Sequence, residues 1–123
     1  MKRMLKGIVR GIGYALEGYK AAFLTDKHFM INLLLSLAGT SASLLLLEGL
    51  EALVVSFINY LVLVLELVNT AIESAVDTAT TEFHPSAKVA KDVSAAAVLT
   101  AGLFALVVDI MFLIPKLMEF LRF

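Results

Sequence analysis

The 123-residue chain has no cysteine, no tryptophan and only two prolines, Pro85 and Pro115. Without thiols, neither a disulfide framework nor a thiolate metal site can form, so any metal would be held by oxygen or histidine. With two prolines and no repeats or low-complexity tracts, little interrupts long helices. Charge is scarce through most of the chain. Charged residues make up 17% and hydrophobic ones 60%, against roughly 45–50% apolar content in soluble globular proteins, so a bilayer is the expected solvent. No P-loop pattern occurs. Gly11-Ile-Gly13-Tyr14 lacks the third glycine and the preceding strand of a dinucleotide fingerprint, so Rossmann and P-loop nucleotide sites are excluded.

What charge exists is unevenly placed. Lys2, Arg3, Lys6, Arg10, Lys20 and Lys27 face only Glu17 and Asp26 in the first 27 residues. Leu5, Ile8, Ile12, Leu16, Tyr19 and Phe23 recur every three or four residues between them, which predicts an amphipathic interfacial helix over 1–27. The interrupting charges argue against a cleaved signal peptide. Phe29 to Leu47 are 19 residues without charge, about 28 Å as helix and enough for a first span. After the acidic turn Glu48 to Glu51, a second apolar run begins at Ala52. Thr80 to Lys88 reads as a loop, with Pro85 breaking the helix and Ser86 as the next cap. Val93 to Val108 give a third span that opens on small residues and ends near Asp109 and Pro115. The expected architecture is one all-α membrane domain, 1–123, with an amphipathic arm over 1–27 and helices over 28–48, 52–80 and 87–118. Lys and Arg counts place the amino terminus and the second loop in the cytoplasm.

The second span carries the chemistry. Ala52 to Leu65 have no charge, and the same helix then runs through Glu66, Asn69, Glu73 and Asp77. Relative to Glu66, these last three lie at roughly −60°, −20° and +20°, so all four project within an arc of about 80°. Hydrogen bonding to neighbouring helices would explain such a stripe. Against that reading stands the cost of about 2.5–3.5 kcal/mol for each intramembrane ionisable group, which asks for a functional return. Glu66 lies deepest and is the general-base candidate; Glu73 is better placed to meet a solvated metal. Lys91-Asp92 opens the third span, where an ammonium can neutralise phosphate, or where the pair serves only as an interface anchor. Glu82, Phe83 and His84 form a polar-aromatic loop beside the stripe. Asp26 suits either a helix cap or a ligand.

The segments Glu66-Leu-Val-Asn-Thr-Ala-Ile-Glu-Ser-Ala-Val-Asp77 and Glu82-Phe-His-Pro-Ser-Ala-Lys-Val-Ala-Lys-Asp92 together resemble the prokaryotic diacylglycerol kinase family, which includes undecaprenol kinases. Gly13-Tyr14-Ala-Leu-Glu-Gly18 and Lys20-Ala-Ala-Phe23 extend the resemblance over most of the chain. It implies a homotrimer in the bacterial inner membrane, with composite sites on the cytoplasmic side. It also implies phosphoryl transfer from ATP to a lipid hydroxyl, with Mg²⁺ as cofactor. In that frame Glu66 accepts the proton, Glu73 and Asp26 bind metal, and Tyr14, Asp77, Glu82, Phe83, His84, Lys91 and Asp92 join them at the nucleotide. Glu66, Asn69 and Ala95 would contact the lipid. Gly7 stands where some relatives carry a basic ATP-binding residue, with Lys6 and Arg10 beside it. Diacylglycerol is the expected acceptor and undecaprenol the alternative. The residues alone also leave open a channel or transporter subunit with an acidic path, and a structural scaffold.

Overall fold

The computed structural model describes residues 1–122. These form four helices and, among the described residues, no strand: α1 (Lys2–Thr25), α2 (Lys27–Leu46), α3 (Gly49–Ala79) and α4 (Pro85–Phe120). The breaks between them are short and local in cause. A single residue, Asp26, separates α1 from α2. Its backbone is extended, and its Oδ1 accepts from the amides of His28 (2.8 Å) and Phe29 (3.3 Å), capping α2. Such a cap stabilises a helix by about 1 kcal/mol. Leu47 and Glu48 are extended and end α2; α3 then starts on Gly49, whose φ of +55° suits a residue without Cβ. The acidic turn expected over Glu48 to Glu51 is therefore mostly the first turn of α3.

One further detail differs from the sequence expectation, and one follows it. The cap of α4 is His84, whose Nδ1 accepts from the Ser86 amide (3.2 Å), with Pro85 in the first turn where its missing N–H costs nothing. Ser86 lies within the helix. Pro115 does not end α4, which continues to Phe120; near a helix end, few turns depend on the hydrogen bond that proline removes.

The helices meet along one seam. The buried residues of α3 are Ala52, Val55, Asn59, Val62, Glu66 and Asn69, spaced alternately by three and four. That is the 3.5-residue period of a left-handed supercoil. The facing positions are mostly small: Ser36, Gly39 and Ser43 on α2, Ser94 and Ala105 on α4. Small residues let backbones approach where apolar surroundings give helices no hydrophobic reason to associate. The apolar core sits at the α2–α3 loop end, where Leu47, Ala52, Val55 and Val108 pack with Ile58, Phe112 and Leu113.

Outside the seam the large side chains point away from the protein. Leu34, Leu45, Phe57, Leu99 and Phe104 are all exposed on the isolated chain. Patches of this extent mark contact with lipid or protein. Three helices, α2, α3 and α4, are long and apolar enough to cross a membrane, and the chain is a multi-pass membrane protein. α1 touches this bundle through its carboxyl-terminal turns, where Ala22 is buried. Its earlier apolar residues Leu5, Ile8 and Ile12 stay exposed, as an interfacial helix requires.

Candidate active site

The polar half of the seam begins at Glu66, which is 2% exposed. Asn32 of α2 faces its carboxylate, and Asp26, His28 and Glu73 lie near enough for their charges to act on it. The junction residue Asp26 thus has two attachments. While Oδ1 caps α2, Oδ2 lies 3.0 Å from the Thr70 hydroxyl, which is also 3.0 Å from the Glu66 carbonyl and shares its hydrogen between them. Asp26 is thus the helix cap that the sequence offered as one of two roles, and its other oxygen turns toward α3. Its second oxygen reaches the stripe because Asp26 stands at the start of α2, which the Leu47–Glu48 break turns back against α3.

One turn on, Asn69 is a two-sided clamp. Its Nδ2 donates to Glu73 Oε1 (3.1 Å), and its Oδ1 accepts from Ser94 of α4 (2.7 Å). Because both ends of the amide are engaged, its orientation is set, and with it that of Glu73. Glu73 spends only Oε1 on this bond. Further out, Lys91 of α4 reaches across to Asp77. Asp92 turns the other way along α4 and pairs with Lys88. Lys91 and Asp92, adjacent in sequence and 100° apart on a helix, therefore do not form one wall.

Two depressions flank this row. An open cleft of about 430 Å³ lies at the α3–α4 loop, lined by Asp77, Glu82, Phe83, His84, Lys88 and Lys91 among others. It brings together five of the residues expected at the nucleotide and adds Lys88. Deeper along α3 and α4 runs an apolar groove of about 510 Å³, walled by Leu65, Val68, Ile72, Val89, Val93 and Ala97, with Asn69, Ser86 and Ser94 as its polar residues. Tyr14 is exposed on α1 and lines neither depression. Ala95 is exposed on α4, while its neighbour Ser94 makes the inward contact.

Sequence reasoning passed over Asn32, Thr70, Ser94 and Lys88. Thr70 lies about 40° from Glu66 on the helix, just past the edge of that arc, and a slightly wider one would have included it. Asn32 is an amide near the start of an uncharged run, a signal as costly in a membrane as a weak charge. Ser94 and Lys88 required knowledge of how α4 faces α3.

As a metal site the carboxylates are sparse. Among the described residues, no three His, Asp or Glu side chains converge into a preformed cage. Mg²⁺ at phosphotransfer sites typically needs only one or two protein carboxylates, with substrate phosphates and water completing the octahedron. Glu73, with Oε2 not engaged by Asn69, fits that donor set. Asp26 fits it less freely, since both its oxygens already accept from protein donors.

Comparison with known proteins bears on the whole arrangement. Residues 13–113 match the family described as prokaryotic diacylglycerol kinase. A diacylglycerol kinase of Synechocystis is 43% identical over 108 residues, 86% of this chain and 62% of that protein. The match thus spans under two thirds of that relative. A diacylglycerol kinase of Pseudomonas aeruginosa is 38% identical over 99 residues, covering 79% of this chain and 80% of its own. An undecaprenol kinase of Bacillus subtilis is 45% identical over a shorter stretch, 53 residues and 43% of each chain.

Proposed function

This chain belongs to the prokaryotic diacylglycerol kinase family, and we propose that it transfers the γ-phosphate of ATP to the hydroxyl of membrane diacylglycerol, giving phosphatidic acid. The observation that carries this reading is the continuity of one helix face. From buried Glu66 it runs through Asn69, which lines the apolar groove, and Glu73 to Asp77, which lines the polar cleft. Such a face joins a lipid alcohol to a soluble nucleotide. A cation path would gain nothing from Lys88 and Lys91 beside its mouth.

The lipid enters with its tails in the groove and its hydroxyl at Glu66. The Glu66 carboxylate takes the hydroxyl proton as the oxygen attacks the γ-phosphorus in line and the bond to the β-phosphate oxygen breaks. Asn32 faces the carboxylate. ATP sits in the cleft, its phosphates toward Lys91, its base and ribose toward Glu82, Phe83 and His84. Asp77 holds the Lys91 ammonium in place until phosphate competes for it. Glu73, with Asp26, would hold Mg²⁺, whose contribution is to offset charge on the transferring phosphoryl group. Asn69 holds Glu73 toward it.

The basic amino-terminal arm supports a cleft on the cytoplasmic side of a bacterial inner membrane, where ATP is available. The assembly we propose is the homotrimer that the family resemblance implies, with sites completed between subunits. Undecaprenol is the second acceptor, favoured by the Bacillus subtilis match. Purified protein in mixed micelles with γ-labelled ATP, offered both lipids, tests the reading: label should enter phosphatidic acid. Label in undecaprenyl phosphate alone would replace the acceptor, and label in neither would overturn the function.

A further inference from the structure

Below Glu66 the same seam holds a second polar group with no part in the chemistry above. Asn59 is 3% exposed, and its Nδ2 donates to Asp109 Oδ1 of α4 (2.8 Å) and to the Val55 carbonyl (3.1 Å). On its other side it fills the place of a missing side chain. A Cβ added to Gly39 of α2 would lie 2.5 Å from Asn59 Oδ1 and 2.8 Å from its Cγ and Nδ2. One amide therefore touches all three spans at one level.

We propose that Gly39, Asn59 and Asp109 form a three-helix joint that positions Glu66, Asn59 and Asp109 acting as positioning residues for proton transfer. The argument is geometric. α3 is tied to α4 on either side of Glu66, Asn59 to Asp109 and Asn69 to Ser94, about 15 Å apart along the helix. A rod pinned at one point can still turn and slide. Pinned at two, it can do neither, and Glu66 lies between the pins on the same face, seven residues from Asn59, or about −20°. α2, which brings Asn32 to Glu66, is located by the same joint through Gly39. A small cavity of about 130 Å³ links the two levels, lined by Asn32 and Ser36 as well as Asn59 and Asp109.

The joint works through a hydrogen bond and a close approach, so it separates from charge. Asp109→Asn keeps an oxygen for Asn59 to donate to; Asp109→Leu does not. Gly39→Ala displaces the amide from the α2 side without touching either partner. The turnover part of the test rests on the lipid-kinase reading, while a structural part does not. Each protein, labelled with ¹⁵N-glutamate in micelles, gives a resonance for Glu66 among seven glutamates. Asp109→Leu and Gly39→Ala should each move that resonance and lower kcat between about ten-fold and a hundred-fold, the scale of a small misplacement, with KM for ATP within about two-fold. Asp109→Asn should keep both near wild type. The joint is refuted if Asp109→Leu and Gly39→Ala leave the Glu66 resonance in place, or if Asp109→Asn falls as far as Asp109→Leu. A wild-type protein that phosphorylates no lipid would end the kinase reading and leave the resonance test of the joint intact.

Discussion

The two halves of the α3 seam follow one packing rule and differ in their balance of donors and acceptors. From Ala52 to Val62 the polar groups are matched: Asn59 donates to Asp109, and Ser56 meets Ser43 at 2.7 Å. From Glu66 to Asp77, carboxylate oxygens outnumber protein donors. Glu66, Glu73, Asp77 and nearby Asp26 share Asn69, Thr70, two backbone amides and one Lys91. Matched polar groups in a membrane hold helices together. An excess of acceptors calls for cations or protons from outside, and that excess marks the site more clearly than the mere presence of charge.

The contrast breaks first at Glu66. Glu66→Gln keeps size and polarity but cannot take a proton, so phosphate transfer should fall by about 10²- to 10⁴-fold with helicity by circular dichroism unchanged. If the upper half were only packing, activity would survive. Glu73→Ala removes the carboxylate proposed to hold Mg²⁺; the Mg²⁺ concentration for half-maximal rate should rise between about ten-fold and a hundred-fold, checked by metal titration. Lys91→Met should raise KM for ATP by about ten-fold and leave lipid KM alone, in a steady-state assay varying each substrate. Thr70→Val loses a hydrogen bond to Asp26 and should cost about 1 kcal/mol in thermal unfolding. The smallest effect belongs to the Asp92 side of α4. Lys88 and Asp92 are both mostly exposed, so breaking their pair with Asp92→Ala should alter stability by less than about 0.5 kcal/mol.

Much of this was legible beforehand. Uncharged runs gave the spans because the cost of charge in lipid leaves so few alternatives, and the helical arc from Glu66 to Asp77 gave the order of the site residues. What stayed hidden depended on rotation of one helix against another. Nothing local distinguishes Ser94 from Ala95 or sends Lys91 and Asp92 to different partners. His84 caps α4 where Ser86 was expected because the choice turns on where the helix starts, and proline in the first turn moves that start upstream.

The single-residue break at Asp26 carries a mechanical consequence. A link with no slack transmits motion, and this one has a carboxylate whose two oxygens grip different bodies, the start of α2 and the Thr70 turn of α3. If α1 rides on the membrane surface, it cannot tilt without loading that grip. Lateral pressure and curvature in the surrounding leaflet would therefore reach the site as torque, with Asp26 as the fulcrum.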